Sequence, residues 1–264
     1  DMAAERAALE FLLRREFGCL RGSYTSLPVN FSTGIALDRA PLVRDALAAL
    51  ALAAGPRAAI GDVEALLRSR FLHLPDAGTA LANCFINRLY EAGREEVEIA
   101  ELRHAASEVA LGQSRGLLLG KYLLALAGMR ELRRPALPSR WAERFSQILS
   151  VWGWPGSGPL DSLEYQQLEL WYRTLDEYRA YDAVCQPLDF GAALLLLRSS
   201  CRNKISQPAT ADCNVQVLGP LEAAGLGFDQ LWLCGMQADH WPAPARPNPF
   251  IPQLLQRRLN MPHA

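Results

Sequence analysis

The stretch Val215-Gln-Val-Leu-Gly-Pro220-Leu-Glu-Ala-Ala-Gly225-Leu-Gly-Phe-Asp-Gln-Leu231-Trp-Leu-Cys234-Gly-Met236, followed by His240-Trp-Pro242, decides how this chain is read. Val215 and Val217 alternate with polar Asn214 and Gln216, which predicts a strand with one buried face. Leu231 to Cys234 is an unbroken apolar run, which predicts a strand covered on both faces. Between them Pro220 and Gly225 bracket Leu-Glu-Ala-Ala, the Pro-first and Gly-last signature of one helical turn. Strand, turn of helix and strand make a compact parallel crossover, which is right-handed by the usual rule.

Working back from this stretch, the chain changes character. Residues 3–17 predict an amphipathic helix with Leu9, Leu12, Leu13 and Phe17 on one side. Val29-Asn-Phe-Ser32 is a short extended piece ahead of Gly34, and Pro41 opens a helix that Gly55-Pro56 stops after Ala54. From 60 to about 203 the periodicity is helical only. Helices are predicted over 63–71 with Asp62 as N-cap, 79–92, 98–111, 115–132, 139–152, 162–184 and 190–202. Asp161 with Glu164 three residues later is a capping box for the longest of these. No repeat of fixed period is present, which argues against a solenoid. Two strand-bearing ends thus enclose a helical block, an arrangement that is tolerated when the block's own ends lie close in space.

Composition narrows the function classes. A chain of 264 residues, half of them hydrophobic, has ample length for a core and is not disordered. A formal net charge of −1 gives no global attraction for nucleic acid, so any DNA contact rests on local arginines. Lys121 and Lys204 are the only lysines. The six cysteines contain no Cys-x-x-Cys pair and read as reduced thiols of a cytoplasmic protein, while the four isolated histidines offer no zinc site. No apolar run approaches the length needed to span a bilayer. The absence of a basic-then-apolar leader before Phe11 predicts no secretory signal, and the ends at Asp1 and Ala264 are expected to be cuts through a longer polypeptide.

The 215–236 stretch resembles the fifth conserved motif of UvrD/Rep-type superfamily I helicases, in which a strand enters a Thr-x-His-x-x-Lys-Gly-Leu-Glu-Phe turn. Gly225, Leu226 and Phe228 keep the turn. Gly219 stands in place of the Thr, Leu221 of the His, Ala224 of the Lys and Gly227 of the Glu. Phe31-Ser-Thr-Gly34 and Pro41-Leu-Val-Arg-Asp45 occupy the places of the segment after the family's fourth motif. Leu160-Asp-Ser-Leu-Glu-Tyr-Gln-Gln167, Trp241-Pro242 and Pro247-Asn-Pro-Phe-Ile-Pro252 are similar to the inactivated, RecC/AddB-like members and to DNA-repair exonucleases of the RecB family. The resemblance implies a partial 2A-like parallel-sheet domain, residues 1–59 and 205–264, with an all-helical 2B-like insertion at 60–204.

Other catalytic constellations are incomplete in this sequence. A RecB-type nuclease centre needs (Asp/Glu)-x-Lys, but Leu119 precedes Lys121 and Arg202 precedes Lys204 at that spacing. Gly116-Leu-Leu-Leu-Gly120-Lys121-Tyr122 is one residue short of a P-loop, ends in Tyr, and reads as a packed helix. Trp141 and Trp171 read as core residues and Trp232 as part of a buried strand. Trp154 and Trp241, beside prolines in loops, stay open as contacts for a ligand or partner. The doublets Arg14-Arg15, Arg133-Arg134 and Arg257-Arg258 can neutralise phosphates, though a solvated helix face is the ordinary use of such pairs. Asp239-His240 has no nucleophile to serve.

The expectation is therefore an α/β, predominantly helical fragment of a DNA-repair or recombination protein, without a catalytic centre, cofactor or metal of its own. The resemblance implies DNA contact at Gly219, Leu221, Glu222 and Ala224, to which the arginines 257 and 258 are added as phosphate contacts. Its partners are expected to be DNA, without sequence preference, and other domains of the parent protein such as a RecB-like nuclease, with no membrane. The rival expectation is a protein-interaction module that never meets DNA, which the near-neutral charge favours.

Overall fold

A computed structural model describes residues 2–20, 27–54, 56–73, 80–108, 118–207, 213–237 and 247–261. The chain forms two compact units, Asp1–Gly219 and Pro220–Ala264. In the first, helix α1 (Met2–Glu16) is followed by strands β1 (Val29–Phe31) and β2 (Ile35–Ala36), and by helix α2 (Pro41–Ala54). Strand β3 (Arg57–Ala59) leads to α3 (Ile60–Leu67) and α4 (Ala80–Glu91), and strand β4 (Glu96–Glu98) to α5 (Ile99–Glu108). Then come α6 (Leu118–Ala127), α7 (Pro138–Val151), α8 (Ser162–Arg179) and α9 (Phe190–Arg202), before β5 (Ile205–Ser206) and β6 (Val215–Val217).

Helix α2 is the centre of the first unit because, beyond Asp45, it is apolar on every face. Leu42, Val43, Ala46, Ala49 and Leu50 are all fully buried, as expected for a helix surrounded by others. Its alanines let α3, α6, α7, α8 and α9 approach it. Aromatics fill the space beyond: Trp141 stacks on Phe145 with centroids 5.7 Å apart, and Phe190 meets Trp141 edge-on at 5.6 Å. Two of the buried polar tips find carbonyls, while Trp152 Nε1 has no partner among the described residues. Trp141 Nε1 donates to the Leu188 carbonyl at 2.8 Å, and the Tyr178 hydroxyl to that of Ala193 at 3.0 Å. Buried Asp45 accepts from Ser69 Oγ at 2.5 Å and from the Arg44 guanidinium at 2.9 Å, so its charge is paired rather than stranded.

The described residues form three two-stranded pairs. β1 runs parallel to β6, with Val29 opposite Val215 and Phe31 opposite Val217. β2 pairs antiparallel with β5, and β3 antiparallel with β4. Phe31, Val29 and Leu27 form a small cluster of their own, backed by Leu13, Cys19 and Val217. Gly34 is required where β5 crosses, since a Cβ there would lie 2.7 Å from the Ser206 carbonyl oxygen.

The predominantly helical α/β class holds, and two finer expectations are corrected. The strand expected at Leu231 to Cys234 is not formed: 231–237 is irregular, and Leu231, Trp232 and Leu233 are 60, 88 and 68% exposed. An apolar run becomes a strand only where neighbours take its backbone groups, and no strand pairs with it among the described residues. The 60–204 block is not all-helical, because Glu96-Val97-Glu98 forms β4; its alternation is too short to stand out in the sequence. Helix α2, which precedes the expected boundary at 59/60, shares one core with the helices that follow it.

Helix ends follow local chemistry. Asp161 Oδ1 accepts from the Glu164 amide at 2.9 Å while Glu164 Oε2 accepts from the Asp161 amide at 2.9 Å, the reciprocal capping box. α8 stops at Arg179, short of the expected 184, and tightens into a 3₁₀ turn over Ala180–Ala183. α3 starts at Ile60, so Asp62 sits in its first turn instead of capping it. α6 ends at Ala127, and a separate 3₁₀ turn, Arg130–Arg133, takes the rest of the expected helix.

Candidate functional site

The residues expected to touch DNA fall into two local groups. Gly219, half-buried, closes the first unit. In the second unit, helix α10 (Pro220–Ala223) is a single turn that ends at Gly225 with φ +83°, a conformation suited to glycine. Leu221 is 89% exposed, and Glu222 and Ala224 are exposed with it. Four residues of helix supply a few free amides and little dipole.

Arg257 and Arg258 lie in the last turn of helix α11 (Gln253–Arg258), both exposed. Cations there complement the helix C-terminus. The element is held from beneath by Gln256, which is buried. Its Oε1 accepts from the Asn248 amide at 2.9 Å, and its Nε2 donates to the carbonyls of Asn248 and Ile251 at 2.7 and 2.6 Å. No hydrogen bond or ion pair joins α10 to α11 among the described residues.

Other candidates take structural roles. Arg14 Nε donates to Glu10 at 2.9 Å and Arg15 pairs with Glu16 at 2.8 Å, while Arg133 and Arg134 are exposed. Lys204 Nζ is 2.6 Å from Glu177. Trp154, one of the loop tryptophans left open as a ligand contact, is buried. It donates to the Leu42 carbonyl at 3.0 Å and meets Trp171 edge-on at 5.5 Å. Trp232, expected in a buried strand, is exposed. Trp241 and Asp239-His240 lie outside the described residues.

No group of three His, Cys, Asp or Glu able to hold a metal is found among the described residues. Cys201 is buried, and burial, reinforced by the charge of Asp38, pushes its thiol up to about 12. It is therefore a protonated core residue at neutral pH and no nucleophile. Among the described residues no helix is long and apolar enough to cross a membrane.

One concave feature escapes the sequence entirely. A groove of about 780 Å³ opens where the end of α2, β3, α6, the Arg130–Arg133 turn and the start of α9 meet. It collects Arg57, Arg133 and Arg198 beside apolar side chains. These arginines are far apart in the chain and only Arg133 belongs to a doublet, so no local pattern marks them as neighbours. No family model, no curated protein and no solved structure matches this chain.

Proposed function

We propose that this chain is a helicase-derived, non-catalytic part of a DNA-repair or recombination protein, a scaffold that touches DNA weakly and without regard to sequence. The parallel pairing of β1 with β6 carries the reading: it draws the two strand-bearing segments together and leaves the helical body between them. That is the connectivity the helicase resemblance implies for a motor domain with a helical insertion. Within the degenerate motif, Gly219, Leu221, Ala224 and Gly227 offer no ionisable side chain where the active pattern has His, Lys and Glu. ATP coupling is lost with them. Phosphate contact then rests on backbone amides near Gly219 to Ala224 and on Arg257 and Arg258.

The second reading is an interaction module that binds another domain or subunit and never DNA. The apolar side chains displayed in 220–261 favour it, with Leu221, Trp232, Phe250 and Leu254 each more than four-fifths exposed.

Fluorescence anisotropy with a labelled single strand at low and moderate salt separates the two. The scaffold reading requires weak binding that falls steeply with salt, because each phosphate contact releases counterions. Changing Arg257 and Arg258 together to Ala should weaken it. Absence of binding at low salt and micromolar protein leaves the interaction module. Magnesium-dependent degradation of DNA by a clean preparation overturns the non-catalytic reading altogether.

A further inference from the structure

We infer that the arginine-rimmed groove of the first unit is the docking site for an acidic peptide segment of a partner protein, one that anchors through Leu or Phe side chains flanked by Asp or Glu. This goes beyond the proposed function and does not rest on it.

The groove combines two chemistries. Its floor is apolar, built from Ala51, Leu126, Met129, Leu132 and Leu194. At its edge Leu195 is 68% exposed on the same helix that buries Leu194 and Leu197. Its rim carries three guanidinium groups. Arg57 reaches Glu98 only at 3.6 Å with both side chains 61% exposed, a pair of little strength in water. Arg133 and Arg198 make no ion pair among the described residues. Arg198 Nε is shut off from solvent with no acceptor, and an unsatisfied buried donor is costly. Among the described residues the one carboxylate of the lining, Asp189, is engaged in capping α9, where its Oδ1 accepts from the Ala192 amide at 2.8 Å. The unspent charge is positive.

The occupant follows from these features. A volume of about 780 Å³ matches a few side chains of a docked segment. An apolar floor calls for aliphatic or aromatic anchors, and the arginines around it for carboxylates that pair with their guanidinium groups. Phosphates alone would leave the apolar floor unused, and bases would fill it only by stacking on aromatic faces. The aromatic here, Phe190, is instead committed to edge contacts with Trp141 at 5.6 Å and Phe145 at 6.0 Å.

The test uses the whole chain and two fluorescein-labelled synthetic peptides. One carries Leu and Phe interspersed with Asp and Glu; the other has every Asp and Glu replaced by Asn and Gln. The acidic peptide should bind with a dissociation constant on the order of 10 µM, more weakly as salt rises. Leu195→Asp and Arg133→Glu should each weaken it about tenfold. Both residues are exposed, so melting temperatures should be unchanged, and either variant alone tests the site. Arg173→Glu, on exposed surface of α8 outside the groove, should bind like the parent. Equal affinity for the neutral peptide, wild-type binding by both groove variants, or no binding at millimolar peptide overturns the assignment. Displacement of the peptide by an equal concentration of oligothymidylate overturns it in favour of nucleic acid.

Discussion

Asn30 and Gln216, 186 positions apart, join side chains across the parallel strands, with Asn30 Nδ2 donating to Gln216 Oε1 at 2.8 Å. This exposed bond marks the register, while the strength lies on the other face. Phe31 is fully buried there against Leu27, Val29 and their neighbours. Phe31→Ala should cost about 3–5 kcal/mol, whereas Asn30→Ala should cost about 1 kcal/mol or less. Urea unfolding of both variants measures the difference. Hydrogen exchange at the Ser32 amide, which donates to the Val217 carbonyl at 3.0 Å, should speed up in the first variant and hardly change in the second.

Much of this fold was readable in the sequence where local chemistry specifies it. Pro138 opens α7, Asp161 with Glu164 opens α8 and Asp189 opens α9, and all three helices lie within a residue of their expected starts. What escaped depends on distant residues. β3 and β4 are three residues each, and their pairing is decided across two intervening helices. Leu231 to Cys234 has a strand's composition but no neighbour to complete its hydrogen bonds among the described residues. The groove is invisible for the same reason, since Arg57, Arg133 and Arg198 meet only after α2, α6 and α9 have packed.

The capping box of α8 also anchors a tertiary contact, because Glu164 pairs with Arg70 from the segment after α3. Asp161→Ala should destabilise the unit by about 1 kcal/mol through the cap alone. Glu164→Ala loses both the reciprocal cap and the ion pair. A double-mutant cycle with Arg70→Ala should leave about 0.5 kcal/mol assigned to the Arg70–Glu164 coupling, since Arg70 is 58% exposed.

The loop after α7 holds its tryptophan in place through a glycine. Gly156 has φ +91°, and a Cβ there would lie 2.8 Å from the Arg70 carbonyl oxygen. Gly156→Ala therefore meets both an unfavourable backbone and a clash, and should cost more than about 1 kcal/mol. Trp154→Phe keeps most of the packing on Trp171 but removes the indole bond to the Leu42 carbonyl, which lies within helix α2, at about 1 kcal/mol. Thermal unfolding of the two variants checks both, and a melting temperature equal to the parent's for Gly156→Ala would contradict the described loop.

Through two buried groups alkaline pH, and not acid, should loosen the first unit. Burial raises the Cys201 thiol to about 12 and also raises the Tyr178 phenol. The folded state holds both protons more tightly than the unfolded chain. The thiol's contribution is complete below its unfolded value, about 8.5, and is lost as pH climbs through about 12; the phenol's is complete below about 10 and is lost above that. Urea midpoints should fall between neutral pH and pH ~10.5, and Cys201→Ala should lessen that fall. Alkylation at neutral pH should reach exposed Cys84 and Cys234 quickly and buried Cys201 only on unfolding.

The second unit shows large apolar side chains to water. Trp232 is 88% exposed and Phe250 93% exposed, so neither contributes burial to the fold. Replacing both with Ser should leave stability within about 0.5 kcal/mol of the parent, as for other surface changes. The same replacement should reduce self-association in light scattering at high protein concentration, because exposed apolar patches drive it. Tryptophan fluorescence offers a second readout. Trp141, Trp152 and Trp171 are buried and emit in the folded state from an apolar setting, so removing Trp232 should shift the emission maximum to shorter wavelength. A clear loss of stability in the double variant would mean that these side chains are packed in solution, and no change in association would show that the exposed patch is inert.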